Sequence, residues 1–223
     1  MLILAGSVVA CTSATTTDPA PRPTDTNPDG AIVAIVSPNG AADYVCSATV
    51  IGSRVILTAA HCFSGGNYDK TGWSFEVVLG PEAHDPNARR VALEPHLAPD
   101  NVDLAVGIAS EDLAVAPRAW SKQAPSAGPA RYAGYGAHTT AAKGHRHIES
   151  AMITNIYPDL VEMTADPSPC HGDSGGPLLA TVDGLETVVG VASTGISDSA
   201  EDCNTGADYT RVDSVADFVR QWL

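Results

Sequence analysis

The stretch that decides the interpretation of this chain is CHGDSGGPLL, residues 170–179. It places an acid, Asp173, and a hydroxyl, Ser174, side by side among three glycines and a proline. Gly, Asp and Ser are common in tight turns, and the apolar residues that follow are typical of a strand that runs inward. The stretch is therefore either an ordinary turn or a loop that presents Ser174 as a nucleophile. The rest of the chain decides between the two.

Short β-branched runs, separated by Gly, Pro, Asn and Asp, lie on either side of a proline-containing segment at 110–129. The first half holds runs at 32–36, 48–51, 54–58, 75–79, 90–93 and 104–108, and the second holds runs at 131–136, 147–153, 160–163, 178–182, 187–192 and 208–212. Many short strands with little helix between them predict an all-β fold, here with two similar halves. Only the end, 213–223, has apolar residues at helical spacing, which predicts a short C-terminal helix capped by Asp213 or Ser214.

Composition and charge narrow the class of protein. The 223 residues carry a net charge of −14, with no basic block, so nucleic acid and anionic lipid are not expected partners. Hydrophobic residues make up 44% of the chain but aromatic residues only 5%, so Val, Ile, Leu and Ala must form the core. No run reaches the ~20 apolar residues that a membrane-spanning helix needs.

The first residues are typical of an export leader, a short apolar run that ends in small residues before Cys11. The tetrapeptide 8–11, VVAC, resembles the lipobox of bacterial lipoproteins, in which the cysteine is acylated. The alternative is a simple secretory signal that ends near a cysteine. The start of the chain departs from the lipoprotein pattern, because Met1 is followed at once by Leu2, with no Lys or Arg. We assign 1–11 as a leader with Cys11 as the lipidation candidate. Residues 12–30 are assigned as a disordered Thr/Pro/Asp-rich tether.

Cysteine usage indicates an oxidising compartment. With Cys11 set aside, four cysteines remain in the globular sequence and can form two disulfides. We therefore expect an extracytoplasmic protein, either secreted or anchored to a membrane through a lipid at Cys11.

Two further motifs supply what a serine nucleophile lacks. A serine hydroxyl needs a base within hydrogen-bond reach, and the base needs an acid that orients it. LTAAHC, residues 57–62, places His61 directly after a β-branched run, and NVDLAV, residues 101–106, places Asp103 at the start of an apolar run. The glycines around Ser174 leave room for a substrate carbonyl, and the N–H groups of Gly172 and Ser174 could converge on a developing oxyanion.

In the order His, Asp, Ser, these three motifs resemble those of the trypsin-like serine proteases of chymotrypsin fold. The resemblance covers 31–223, nearly all the chain after the tether. It implies two six-stranded antiparallel β-barrels, at about 31–110 and 130–212, and a short helix at about 213–223. It also implies a serine endopeptidase that needs no cofactor and no metal and works on a protein or peptide substrate, and we expect a monomer.

The resemblance carries over to individual residues. His61 would act as general base and then general acid, Asp103 would hold its imidazole, and Ser174 would attack the scissile carbonyl. Gly172 and Ser174 would form the oxyanion hole. The remaining family positions are the substrate-pairing segment Ser193, Thr194 and Gly195, the pocket residues Ser168 and Ala207, and the disulfides Cys46–Cys62 and Cys170–Cys203.

Asp173 departs from the family pattern. Family members usually mature by cleavage before an Ile-Val-Gly-Gly-like start, whose freed amino group pairs with the Asp that precedes the serine. The corresponding place here reads APRPTDTN, residues 20–27. A buried carboxylate without a partner is costly, so we expect an internal partner for Asp173, such as an arginine side chain, and constitutive activity.

Substrate preference follows from the pocket. Family members that cut after Lys or Arg carry an Asp at the position of Ser168, so the resemblance implies a neutral, apolar P1 residue, with Ala207 narrowing the slot. A shift of one residue in this comparison would bring Asp166 or Asp208 to the pocket and favour a basic P1 residue.

Two other functions are compatible with these motifs. A homologue with a locked oxyanion hole would act as a binding or adhesion module, and an enzyme with the same triad could hydrolyse small esters.

His145 and His147 lie on one face of a predicted strand but have no obvious third ligand, so they are a weak metal candidate. Glu82, His84 and Asp85 resemble a calcium loop, but we interpret them as an exposed turn, and His96 and His138 as surface residues.

Overall fold

The computed structural model describes residues 27–66, 68–137, 142–195, 203 and 206–223. The predicted leader with Cys11, most of the predicted tether, and His138 lie outside this range. Among the described residues, no helix is long and apolar enough to cross a membrane.

The first half of the chain closes into a six-stranded antiparallel barrel, barrel one. Its strands are β1 (Ile32–Val36), β2 (Cys46–Val50), β3 (Val55–Thr58), β4 (Phe75–Leu79), β5 (Arg89–Leu97) and β6 (Ala105–Ala109). They neighbour one another in the order β1-β2-β3-β6-β5-β4, and β4 pairs back to β1 to close the sheet.

The second half forms an equivalent barrel, barrel two. Its strands are β7 (Gly128–Gly134), β8 (His147–Ile156), β9 (Leu160–Thr164), β10 (Pro177–Val182), β11 (Leu185–Gly195) and β12 (Ala207–Arg211). Read from β7, their order is β7-β8-β9-β12-β11-β10, which repeats that of barrel one. The prediction of two six-stranded antiparallel barrels is confirmed.

Strand β1 joins the two barrels because both of its faces are buried. Successive side chains of a strand point to opposite faces. Val33 and Ile35 pack into the large apolar core that fills barrel one, whereas Ile32 and Ala34 pack in a second cluster with Tyr135 of barrel two. The aliphatic composition of these clusters agrees with the low aromatic content of the chain, and the barrels are held face to face along this strand.

The described structure includes residues 27–30, which belong to the segment that we assigned to the tether. Pro28–Ala31 form a 3-10 turn. Arg118, which is buried, donates from Nε to the carbonyl oxygen of Pro28 at 3.0 Å and from a terminal nitrogen to Asp29 at 2.9 Å. Its other terminal nitrogen contacts Glu186 at 2.7 Å, and Arg131 contacts the same carboxylate. These charged groups fasten the entry to β1 onto barrel two.

The C-terminal helix is present but shorter than predicted. Asp213–Val215 form a 3-10 turn, and the α-helix α1 covers only Ala216–Arg220. The predicted capping is wrong: no side chain caps either segment, and the Ser214 hydroxyl instead donates to the carbonyl oxygen of Arg211. The segment tightens because i→i+3 bonds, such as Trp222 N–H to the Val219 carbonyl, replace α-helical ones at its ends.

Candidate active site

His61 lies on a short turn that two independent restraints hold. Strand β3 ends at Thr58, and the 3-10 turn Ala60–Cys62 follows at once. A disulfide joins Cys62 to Cys46 on β2, as predicted. The backbone N–H of His61 donates to Oδ1 of Asp103 at 2.9 Å, and its Nδ1 lies 2.8 Å from Oδ2 of the same carboxylate. Main chain and ring are therefore both fixed by one acid.

Asp103 lies two residues before β6 and receives more than the two contacts from His61. The Ser193 hydroxyl donates to Oδ2 at 2.6 Å, and the Thr210 hydroxyl donates to the Asp103 carbonyl oxygen at 3.0 Å. Burial alone would raise the pKa of Asp103, but the hydrogen bonds from His61 and Ser193 outweigh it and hold that pKa below its usual value. Asp103 is therefore an ionised acid over the neutral pH range.

The ionised state of Asp103 fixes the tautomer of His61. A carboxylate only accepts hydrogen bonds, so Nδ1 of His61 must be the donor. In neutral His61 the proton then sits on Nδ1, and the lone pair of Nε2 is free to accept a proton. Chemically this is a general base aimed by an acid.

Ser174 lines the same cleft as His61 and Asp103 and is half-buried. It lies on a turn after Cys170, and no hydrogen bond joins its hydroxyl to His61 among the contacts of the described residues. Such bonds are often long or unformed before substrate binds. The three candidate catalytic residues thus share one cavity, with the His61–Asp103 contact already in place.

One residue of barrel one, Ser47 on β2, holds the turn of Ser174. Its N–H donates to the carbonyl oxygen of Ser174 at 2.8 Å, and its hydroxyl donates to that of Gly172 at 2.8 Å. The same hydroxyl accepts from the N–H of Tyr135, and the Ser47 carbonyl accepts from the Thr58 hydroxyl. The serine turn is thereby tied to the barrel that carries the histidine.

The two N–H groups predicted for an oxyanion hole are open donors. Neither Gly172 N–H nor Ser174 N–H meets an acceptor among the described residues. The carbonyl of His171 accepts from the N–H of Ala137 at 3.1 Å. The C=O and N–H of a trans peptide point in opposite directions, so this bond turns the Gly172 N–H away from Ala137. Gly172 has φ = 110°, a conformation that glycine allows, and a Cβ there would collide with the backbone of Gly136 at 2.8 Å.

Asp173 has an internal partner, as expected, but the partner is a histidine and not an arginine. The side chain of Asp173 is buried, and its Oδ1 lies 2.8 Å from Nε2 of His147. Backbone N–H groups of Gly136 and Cys170 donate to the two carboxylate oxygens at 2.8 and 2.9 Å. His147 is thus committed to a carboxylate, which removes it from the weak metal pair proposed with His145.

The cleft has a volume of about 930 Å³ and contains the predicted substrate-pairing segment. Ser193, Thr194 and Gly195 line it, at the end of β11. The predicted pocket residues Ser168 and Ala207 are buried and do not line this cavity. Residues 196–202, 204 and 205 lie outside the described part of the chain.

The two acids that a shifted comparison would bring to the pocket lie elsewhere. Asp208 follows the buried Ala207 on β12, so the two side chains lie on opposite faces of the strand. Asp208 pairs with Glu162 on the neighbouring strand β9. Burial, and then the neighbouring charge of Glu162, raise its pKa. Asp166 is exposed. Neither residue lines the described cleft.

Among the described residues, only one group of three possible metal ligands lies close together. Cys46, His61 and Cys62 lie close together, but both sulfurs belong to a disulfide and are not thiolates. His145 contacts Glu82 on the surface at 3.7 Å. His84 is exposed and Asp85 is half-buried in the same turn. His96 stacks on Trp222 with ring centroids 4.0 Å apart.

Sequence reasoning missed one residue behind the histidine turn. Lys70 is buried, and its Nζ donates to the carbonyl oxygens of His61 at 3.0 Å and Gly65 at 2.5 Å. The ammonium group lies 5.5 Å from the ring centre of Tyr44 and 5.7 Å from that of Tyr68. Burial lowers its pKa. Nothing in the local pattern distinguishes this lysine from a surface one.

The second predicted disulfide, Cys170–Cys203, is also present and braces the turn of Ser174 from its N-terminal side.

The chain is similar to known proteins over most of its length. A family model described as Trypsin matches residues 22–219. Serine protease 56 of Mus musculus is 23% identical over 211 aligned residues, which cover 80% of this chain. The chain spans about a third of that relative's length, 34%.

Proposed function

Because the chain belongs to the trypsin family, we propose that it is a serine endopeptidase with Ser174 as nucleophile, His61 as general base and Asp103 as the acid that orients it. The observation that carries this proposal is the His61–Asp103 contact at 2.8 Å in the cleft that Ser174 lines. That contact leaves Nε2 of His61 free to accept a proton in a cleft that also holds the Ser174 hydroxyl, beside two backbone N–H groups that have no acceptor among the described residues.

The reaction follows from these positions. Ser174 Oγ forms a bond to the carbonyl carbon of the scissile peptide, and its proton passes to Nε2 of His61. The carbonyl oxygen becomes an anion that the N–H groups of Gly172 and Ser174 stabilise. His61 then gives the proton to the amine nitrogen, the C–N bond breaks, and an acyl-enzyme remains. Water, deprotonated by the same imidazole, releases the acid and restores Ser174.

The proposed P1 preference is a neutral, apolar residue. Ser168 occupies the family position at which an acid would attract Lys or Arg. Neither of the two nearby acids lines the described cleft. Asp208 faces Glu162, and Asp166 is exposed. Profiling with peptides that differ only at P1 tests this: a preference for Lys or Arg would overturn it.

The proposed location is extracytoplasmic. Two disulfides are in accord with an oxidising compartment. Anchoring through acylated Cys11, a monomeric state and a protein or peptide substrate complete the proposal. Mass spectrometry of the N-terminal peptide from membranes tests the anchor, since an acylated Cys11 adds the mass of its lipid.

The decisive experiment is labelling with a fluorophosphonate, in which the serine hydroxyl displaces fluoride from phosphorus. We expect the folded wild type to be labelled and Ser174→Ala and His61→Ala to remain unlabelled. Cleavage of casein then distinguishes an endopeptidase from an enzyme that only hydrolyses small esters. Folded wild type that takes up no label would overturn the proposal and favour the alternative, a locked homologue that serves as a binding module.

A further inference from the structure

The Asp173 carboxylate lies beneath the turn that carries Gly172 and Ser174. Its Oδ1 accepts from the N–H of Gly136 and contacts Nε2 of His147, each at 2.8 Å, and its Oδ2 accepts from the N–H of Cys170 at 2.9 Å. The Asp173 side chain is 2% exposed and that of His147 is 6% exposed. Of the three contacts, only the one with His147 comes from a side chain.

His147 reaches this position through the register of barrel two. It is the first residue of β8 and pairs with Gly134 of β7. Its ring packs edge-on against Tyr132, with centroids 5.6 Å apart. A Cβ on Gly134 or on Gly136 would collide with the Asp173 carboxylate, so glycines leave the space that this carboxylate occupies. The sheet is therefore shaped to receive the aspartate at a fixed place beside the imidazole.

The chemistry of the contact gives it one direction. An ionised carboxylate accepts only, so Nε2 of His147 is the donor whether the imidazole is neutral or protonated. A buried charge that loses a donor is destabilised by several kcal/mol or draws in water, because its desolvation is no longer compensated. Without the imidazole, the carboxylate is expected to turn toward solvent.

The backbone connects this carboxylate to both open donors. Asp173 lies between Gly172 and Ser174, its N–H donates to the carbonyl of Cys170 at 2.9 Å, and its own carbonyl accepts from Gly176 at 2.8 Å. A rotation of Asp173 out of its site must therefore move the neighbouring peptides. We propose that His147 is the positioning residue that keeps Asp173 buried and thereby holds the Gly172 and Ser174 N–H groups toward the cleft. The consequence for catalysis rests on the proposed endopeptidase activity, whereas the placement of the turn does not.

The test compares three variants with the wild type: His147→Ala, His147→Gln and the matched control His145→Ala. Glutamine places an amide N–H close to where Nε2 of histidine lies, so it keeps the donor without the ring. His145 is on the same segment, and its side chain is 48% exposed. Near-ultraviolet circular dichroism verifies that each variant is folded.

The first readout is hydrogen exchange of peptides that cover residues 170–176, which needs no activity. We expect exchange at least tenfold faster in His147→Ala, close to wild type in His147→Gln, and unchanged in His145→Ala. Should His147→Ala fail to fold, the comparison of His147→Gln with His145→Ala still decides, because the former must retain protection of the turn. Wild-type protection in folded His147→Ala, or full loss of protection in His147→Gln, would overturn the proposal.

The second readout is turnover of a peptide ester. Loss of one oxyanion donor typically lowers kcat by about 100- to 1000-fold, and we expect His147→Ala to fall in this range with little change in KM and substantial recovery in His147→Gln. A wild type that exchanges as expected but does not turn over would count against the endopeptidase assignment alone. A His147→Ala enzyme with wild-type kcat would count against the role of His147 alone.

Discussion

The hydroxyl of Ser193 and the carboxylate of Asp103 are joined by a hydrogen bond of 2.6 Å, at the same oxygen that Nδ1 of His61 contacts. Ser193 lies on β11 of barrel two and Asp103 precedes β6 of barrel one, so this bond crosses between the barrels. The acid of the site is therefore held by barrel two as well as by the histidine of barrel one.

Ser193→Ala removes this bond and leaves the main chain in place. A hydrogen bond to a charged group contributes about 1.5–3 kcal/mol, so we expect kcat to fall by roughly tenfold or more. The pKa of Asp103 is expected to rise, since one of the bonds that lower it is lost. Steady-state kinetics on a peptide ester provide the measurement. Ser214→Ala, which removes an exposed hydroxyl, is the control, and equal kcat values in the two variants would contradict the role given to Ser193.

Asp103→Asn tests the orienting acid. An amide matches the shape of the carboxylate but not its charge, and the wrong tautomer of His61 follows. We expect kcat to fall by roughly 10⁴-fold, the loss typical of this replacement in triads of this kind. Circular dichroism and retained binding of a peptide inhibitor would verify that the cleft is intact. A loss of less than tenfold in the folded variant would show that Asp103 does not orient the base.

The same variant gives a pH test of stability. The pKa of folded Asp103 lies below its unfolded value of about 3.8, so the ionised group stabilises the fold at pH values above that point. This contribution is lost as the pH falls through the lower, folded pKa. The difference in free energy of unfolding between wild type and Asp103→Asn is therefore expected to be constant above about pH 5 and to narrow on acidification. Urea titrations at a series of pH values measure it, and a difference independent of pH would contradict the prediction.

Glu186→Gln tests the charged groups that hold the N-terminal turn. Glu186 contacts both Arg118 and Arg131, and the hydrogen bond with Arg131 is the largest of the effects that lower its pKa. We expect a loss of about 1–3 kcal/mol in the free energy of unfolding. The control Asp217→Asn breaks an exposed pair with Arg220 and is expected to change it by less than about 0.5 kcal/mol. Equal losses in urea titrations would mean that the cluster adds no more than a surface ion pair.

Replacing Cys46 and Cys62 together by alanine tests the brace of the histidine turn. The two cysteines are 16 residues apart, and a disulfide that closes a loop of this length contributes about 3 kcal/mol. We expect that loss in guanidinium titrations, and a fall in kcat because the turn of His61 loosens. If kcat and stability both match those of the wild type, the disulfide does not fix the turn.

The strands and the site motifs could be predicted because their signals are local. A β-branched run such as 32–36 specifies its own strand, and the segments around His61, Asp103 and Ser174 each carry a recognisable motif. Strand ends were less accurate. β5 runs on to Leu97 through Pro95, a residue that we treated as a break, because its place opposite Gly107 is set by pairing with β6.

The partner of Asp173 could not be read from local pattern. His147 is 26 residues from Asp173, and only the pairing of β8 with β7 brings the two together. The sequence placed His145 and His147 on one face of a strand, but in the structure one lies on the surface and the other in the interior. Long-range register, and not residue type, decides between these two histidines.

The four hydrogen bonds of Ser47 have a consequence for motion. Because this residue holds the turn of Ser174, the carbonyl of Gly172 and the N–H of Tyr135 directly after β7, the barrels cannot separate without releasing all three. Brief local openings of the turn of Ser174 are thereby suppressed. We expect the slowest-exchanging amides of this turn to exchange only when both barrels unfold together. A protease that cleaves only unfolded segments would therefore cut this turn later than the surrounding loops.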